Sequence, residues 1–223
     1  MRKNKIIKRI ILIYIALSAI LFSLTMSINI VTKDKNYYYK YSKENNITEY
    51  AGVSYEKLKN MYSNLIDYIY EGDQNLINTD FNEREVSHMV DVHKLYNINI
   101  TATYITIISL TAYIVYLSFA YKKKRSIYRE LKFIRKSFLI ILLAIIILSI
   151  IISIDFDSAF IKFHHLFFNN DLWLLDPRTD IMIRMLPQDF FMNMAIRIGI
   201  YFVRFLALIY IVLTILIKYN KEK

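Results

Sequence analysis

The 223-residue sequence contains no cysteine. That excludes disulfides, thiolate metal sites and a cysteine nucleophile together. Only three glycines and two prolines are present, too few to turn the chain as often as a soluble domain of this size requires. Long runs without charge take their place. Three such runs, Ile10 to Val31, Ile98 to Tyr121 and Ser137 to Ile154, carry no charged residue. A fourth, from about Phe190 to Ile217, carries only Arg197 and Arg204. About 20 apolar residues suffice for a helix to cross hydrocarbon, so these four runs are predicted spans.

The net charge is +10, a value also met in nucleic-acid-binding proteins. Its distribution points to a membrane instead. Basic residues concentrate in 1–9, in 122–136 (KKKRSIYRELKFIRK) and in the KYNKEK end, while acids concentrate in the two stretches between. Only Glu130 and Glu222 fall on the basic side. By the positive-inside rule this predicts an all-α membrane protein with four transmembrane helices, both ends cytoplasmic. The spans are 10–31, 98–121, 137–154 and 190–217, with extracytoplasmic caps at 32–97 and 155–189 that contain short interfacial helices. The first span lacks an A-x-A-like cleavage site and reads as an uncleaved anchor. The whole reads as one membrane domain, 1–223, without an internal repeat.

Within the first cap, Leu58, Met61, Tyr62, Leu65, Ile66 and Ile69 recur at helical spacing, with Ser54 as N-cap and Gly72 as stop. Tyr37 belongs to a tyrosine cluster just after the first span, where amphipathic rings suit the membrane interface. A second helix is predicted from near Glu83, capped by Asp80 or Asn82. It places His88, Asp91, Val92 and Leu95 on one face and turns His93 away. In the second cap, Asp155 or Asp157 caps a helix carrying Phe160, Phe163, His164, Phe167 and Phe168. A turn at Asp176-Pro177 follows, and Pro187 opens the last helix.

The titratable groups predicted outside are His88, His93, His164, His165, a series of aspartates, Arg178 and Arg184. Histidine exchanges protons near neutral pH. A single histidine at such a boundary is most often a hydrogen-bonded packing residue, and His93 and His165 are read that way. No H-E-x-x-H occurs, and His164 and His165 are adjacent, so no local metal site is predicted. No G-x-S-x-G occurs, and Ser87 points away from its neighbour His88. No nucleophile stands out, which suits a reaction whose substrate supplies its own. Arg197, near the outer boundary, suits an anionic or ester group of a lipid.

Two stretches, FHHLFFNNDLWLLDPRTDIMIRMLP and EREVSHMVDV, resemble the lipoprotein intramolecular transacylase family of bacterial membrane proteins, and the likeness extends over essentially the whole chain. Its most specific parts are Phe163-His164, Phe167-Phe168, Asn170-Asp171, Trp173, the DPRTD turn and Ser87-His88-Met89 with Asp91-Val92. Gln188 departs from an expected Glu. The resemblance implies a multi-pass protein of the bacterial cytoplasmic membrane with its site on the extracytoplasmic side. It implies diacylglyceryl-modified lipoproteins and membrane lipids as partners, with no nucleic acid and no cofactor. The implied reaction moves the sn-2 acyl chain of the diacylglyceryl group to the α-amine of the N-terminal cysteine.

His88 and His164 then carry over as the catalytic pair. Asp91, Asp171 and Asn170 are supporting candidates, and Trp173, Arg184, Arg197 and Tyr37 are substrate contacts. Asn170 and Arg184 also qualify as oxyanion donors. The two imidazoles are expected within a few ångströms of each other, facing one cavity. Two other readings fit the same residues: a membrane lipid ester hydrolase that uses water, and a non-catalytic membrane module that docks a partner.

Overall fold

The computed structural model describes residues 2–120 and 124–221, and every regular element among them is helical. The helices are α1 (Arg2–Lys33), α2 (Lys35–Glu44), α3 (Ile47–Ala51), α4 (Tyr55–Glu71), α5 (Glu83–Phe119), α6 (Lys124–Ile154), α7 (Phe156–Phe167), α8 (Ile181–Met185) and α9 (Gln188–Lys221). A single 3-10 turn, Gln74–Leu76, separates α4 from α5. Tyr121, Lys122, Lys123 and Glu222, used above for a span end and for charge sorting, lie outside the described residues. Among the described residues, three helices are long and apolar enough to cross a membrane: Lys5–Lys33, Glu83–Phe119 and Gln188–Lys221. The expected span 137–154 falls within α6, where side chains at 148, 149 and 151–153 are outside the description.

The chain divides into two compact units. The first holds Met1–Ser27, Thr101–Ile154 and Gly199–Lys223. On α1, Ala16, Ala19, Ser23 and Ser27 are buried, and residues this small let helix backbones approach closely. The hydroxyls of Ser23 and Ser27 donate to the carbonyls of Ala19 and Ser23 at 2.8 and 2.6 Å, so neither is left unsatisfied. Ile20, Phe138, Phe202 and Leu206 form one core cluster. Lys8 pairs with the buried Glu130 at 2.5 Å, and Ser126 donates to the same carboxylate oxygen at 2.9 Å. Ile11, Leu17, Ile108, Leu143, Leu208 and Ile211 remain exposed. An apolar surface of that breadth suits hydrocarbon better than water.

The second unit holds Ile28–Ile100 and Asp155–Ile198. The α4 pattern folds as its sequence predicts. Ser54 Oγ accepts from Lys57 N at 3.3 Å, and Leu58, Met61, Tyr62, Leu65 and Ile66 are buried. Gly72 ends the helix at φ 74°, a left-handed conformation that favours glycine. Space matters there too, since a Cβ on Gly72 would stand 2.7 Å from His93 Nε2.

The start of α5 is tied down on two sides. Asn82 Oδ1 accepts from Glu85 N at 3.0 Å, and Glu85 Oε2 accepts from Asn82 N at 2.8 Å. This reciprocal box satisfies two amides that a helix end leaves free. The other oxygen of buried Glu85 accepts from Met182 N at 2.6 Å. Asn82 Nδ2 donates to Asp180 Oδ1 at 2.8 Å, and Asp180 Oδ2 accepts from Asp176 N at 2.7 Å. Arg84 donates to the carbonyls of Asp171 and Leu174. The first turn of α5 is thus fastened to residues 171–182.

Glu85→Ala removes the acceptor of two backbone amides. A hydrogen bond to a charged group is worth roughly 1.5–3 kcal/mol, so the variant should lose on the order of 3 kcal/mol of stability. The thermal midpoint in detergent micelles checks this, with the exposed Glu83→Ala as an unaffected control.

Candidate active site

One turn beyond Glu85, α5 presents His88. The partner histidine comes from α7, which begins where Asp155 Oδ1 accepts from Ser158 N at 3.0 Å. His164 lies in the last turn of that helix and is buried. Its Nδ1 donates to the Phe160 carbonyl at 2.7 Å. A carbonyl only accepts, so this bond places the proton of the neutral ring on Nδ1 and leaves the lone pair on Nε2.

Aromatic rings hold the imidazole in place. Trp173 stacks on it at 4.6 Å with 25° between planes, and Phe160 packs at 4.4 Å. The rings of His88 and His164 stand 6.3 Å apart. Phe168 contacts both, at 5.5 Å from His88 and 5.6 Å from His164. His88 Nδ1 and Trp173 Nε1 are buried with no hydrogen-bond partner. Burial holds the His164 imidazole below its ordinary value and outweighs the Phe160 carbonyl, which favours the charged ring.

A cavity of about 260 Å³ lies next to this pair. Its apolar wall is Leu95, Ile98, Phe167 and Phe168, and its polar wall includes Asp91, Lys94 and Asn170. Neither imidazole is among its walls; Phe168 is. Asn170 Nδ2 donates to Asp91 Oδ2 at 2.9 Å, and Lys94 Nζ donates to Asp91 Oδ1 at 3.1 Å. The Asp91 hydrogen bonds therefore run to Asn170 and Lys94, not to an imidazole. Asp171 keeps an exposed side chain, and its carbonyl is the group that Arg84 grips.

The remaining residues fall into separate clusters of the same unit. Arg197 pairs with Asp34 at 2.5 Å and lies 3.8 Å over the ring of Tyr37. A series of rings leads from there towards the histidines: Tyr37 to Phe190 at 5.9 Å, Phe190 to Phe191 at 5.5 Å, Phe191 to Phe160 at 5.6 Å. Arg184 Nε donates to the Asp180 carbonyl at 3.4 Å. Gln188 Nε2 donates to Asp157 Oδ1 at 2.7 Å.

His93 is fully engaged, with Nδ1 donating to the Ile69 carbonyl at 3.0 Å and Nε2 accepting from Asn97 at 2.9 Å. His165 is exposed, edge-on to Trp173 at 5.2 Å. Arg84 and Glu85 shape the site without having been singled out from sequence, and Asp180, read there only as part of the DPRTD turn, joins them through Asn82. The Asn82-to-Glu85 spacing of a capping box was the available signal.

The family profile described as lipoprotein intramolecular transacylase Lit matches residues 13–191. The chain belongs to this family. It is an acyltransferase, and its solved relatives are membrane-integral. The in meso structure of the lipoprotein intramolecular transacylase Lit from Bacillus cereus is similar at 28% identity, with a TM-score of 0.81 over 97% of this chain and 99% of that one. A histidine-to-arginine variant of the same Bacillus cereus protein aligns at 26% identity and TM-score 0.79, covering 99% of this chain and 96% of that one. Its histidine-to-alanine variant aligns at 26% and 0.80, covering 100% and 99%. No curated protein sequence matches significantly.

For this transacylase, the lowered His164 value has a definite sign. A depressed histidine keeps its lone pair as pH falls through the ordinary value of ~6.5 and gains its proton only below it. Imidazole NMR in micelles, assigned with His164→Gln, should show the His164 ring titrating below ~6.5. An inflection above that value contradicts the burial argument.

Proposed function

We propose that the chain transfers the sn-2 acyl group of a lipoprotein's diacylglyceryl moiety to the α-amine of the same lipoprotein's N-terminal cysteine. The observation that carries this reading is the 6.3 Å approach of His88 and His164 among aromatic rings, with His164 Nε2 left as a free lone pair. The free α-amine has a pKa near ~8 and is mostly protonated at neutral pH. It first releases one proton to water. The neutral nitrogen then attacks the ester carbonyl while a histidine takes its second proton. The carbon–oxygen ester bond breaks, and that proton passes to the departing glycerol oxygen. The product is an N-acyl amide with a lyso-glyceryl group. Donor and acceptor are one molecule, so no second lipid is consumed.

General acid–base help of this kind contributes ~10²–10⁴-fold. Holding amine and ester together adds effective molarities that reach ~10⁵ M or more. The surrounding Phe160, Phe168 and Trp173 limit water, which would otherwise divert the acyl group to free acid. Trp173 orients His164, Asn170 orients Asp91, and Tyr37 with Arg197 marks the far end of the ring series as a lipid contact. Arg184 and Asp171 border the same cap. Four spans, both ends cytoplasmic and the histidine pair in the extracytoplasmic caps of one membrane domain fit the charge sorting.

Purified protein with a diacylglyceryl lipopeptide should yield the N-acyl lyso product by mass spectrometry. His88→Ala and His164→Ala should each slow it by at least ~10²-fold. Release of free fatty acid instead would support the hydrolase reading. Stable binding without turnover would support the docking reading.

A further inference from the structure

Asp91 and Lys94 form a lopsided pair. The carboxylate is seated in the cavity wall, 22% exposed, whereas the lysine is 69% exposed and reaches in from solvent to 3.1 Å. An ion pair so open to water is worth little, so another ammonium displaces the lysine at small cost. The carboxylate itself is well fixed. One oxygen accepts from Asn170 at 2.9 Å, and Asn170 in turn accepts from Leu172 N at 3.1 Å. The other oxygen is the one offered to the lysine. Beside it stand Leu95, Ile98, Phe167 and Phe168. A ligand matching these walls carries a primary ammonium within a few bonds of a hydrocarbon chain.

Resting on the function proposed above, we infer that Asp91 binds the substrate's α-ammonium, that Lys94 is the stand-in it displaces, and that the apolar wall receives the neighbouring acyl chain. His88 stands three residues before Asp91 on the same helical face. An ammonium docked at Asp91 is thereby held one helical turn from the His88 imidazole. Asp91 is then a substrate-binding residue and not an orienter of histidine. This gives the site a preference for lipopeptides with a free amine over those already N-acylated, and so a route for product release.

The test uses two non-reactive probes: a lipopeptide with a dialkyl-ether glyceryl group and a free α-amine, and the same compound N-acetylated. Neither can transfer an acyl group, so binding is read independently of turnover. Failure of the transacylation reading would appear in the product assay, and failure of this inference in the binding data. Asp91→Asn keeps a partner for Asn170. It should weaken binding of the free-amine probe about tenfold and leave the N-acetyl probe within about twofold. Lys94→Gln, which leaves the carboxylate untouched, should tighten the free-amine probe severalfold and not the other. Equal loss of both probes in Asp91→Asn would assign it a structural role and overturn the inference. No gain for the free-amine probe in Lys94→Gln would overturn the stand-in.

Discussion

Two buried carboxylates hold the second unit in register. Glu85 accepts the Met182 amide and Asp180 accepts both the Asn82 side chain and the Asp176 amide. Neither makes an ion pair among the described residues; Glu85 is satisfied by backbone amides and Asp180 by amide and hydroxyl donors. A buried carboxylate with too few partners is costly, so the arrangement is strongly selected over near alternatives. Because Glu85 sits one turn before His88, fastening its oxygens to the 176–182 segment also fixes where the histidine can go. Arg84 adds a grip on the carbonyls of Asp171 and Leu174, which lie either side of Trp173 in the chain.

Local chemistry then differs sharply over a few ångströms. His164 is enclosed by Phe160, Phe168 and Trp173, and its Nδ1 proton is committed to a carbonyl. Such surroundings keep the ring neutral and its Nε2 available. On the other side of Phe168, the Asp91–Asn170–Lys94 group is polar and partly wet. A lipopeptide head has the same two-sided character: hydrocarbon and ester on one side, ammonium and peptide on the other. The proposed acyl transfer, which must avoid water, would benefit from a dry centre next to a charged docking point.

Local pattern was the part legible in sequence. Helical spacing identified the α4 face, Ser54 and Gly72 marked its ends, and the face argument separated His88 from His93. The structure gives His93 a reason for its separate role, as its ring packs on Gly72 and bridges Ile69 and Asn97. Partner choice between distant residues was not legible. Asp91 finds Asn170 79 positions away and Arg197 finds Asp34 163 positions away, which no local periodicity encodes. The cavity illustrates the same limit. It was expected to receive both imidazoles, yet neither lines it, whereas Phe168, which contacts both rings, does. Small helices α2, α3 and α8 were also not separable from loop, being short and held by packing instead of propensity.

His88 and His164 are proposed to act as one unit, and the non-additivity of their removal tests this. Groups that serve a single step lose little more when both are absent than when one is. Initial rates of N-acyl lyso product should therefore be about the same in the His88→Ala/His164→Ala double variant as in the slower single variant. If the two losses multiply instead, the histidines act independently, and the account of a shared proton-transfer centre is contradicted.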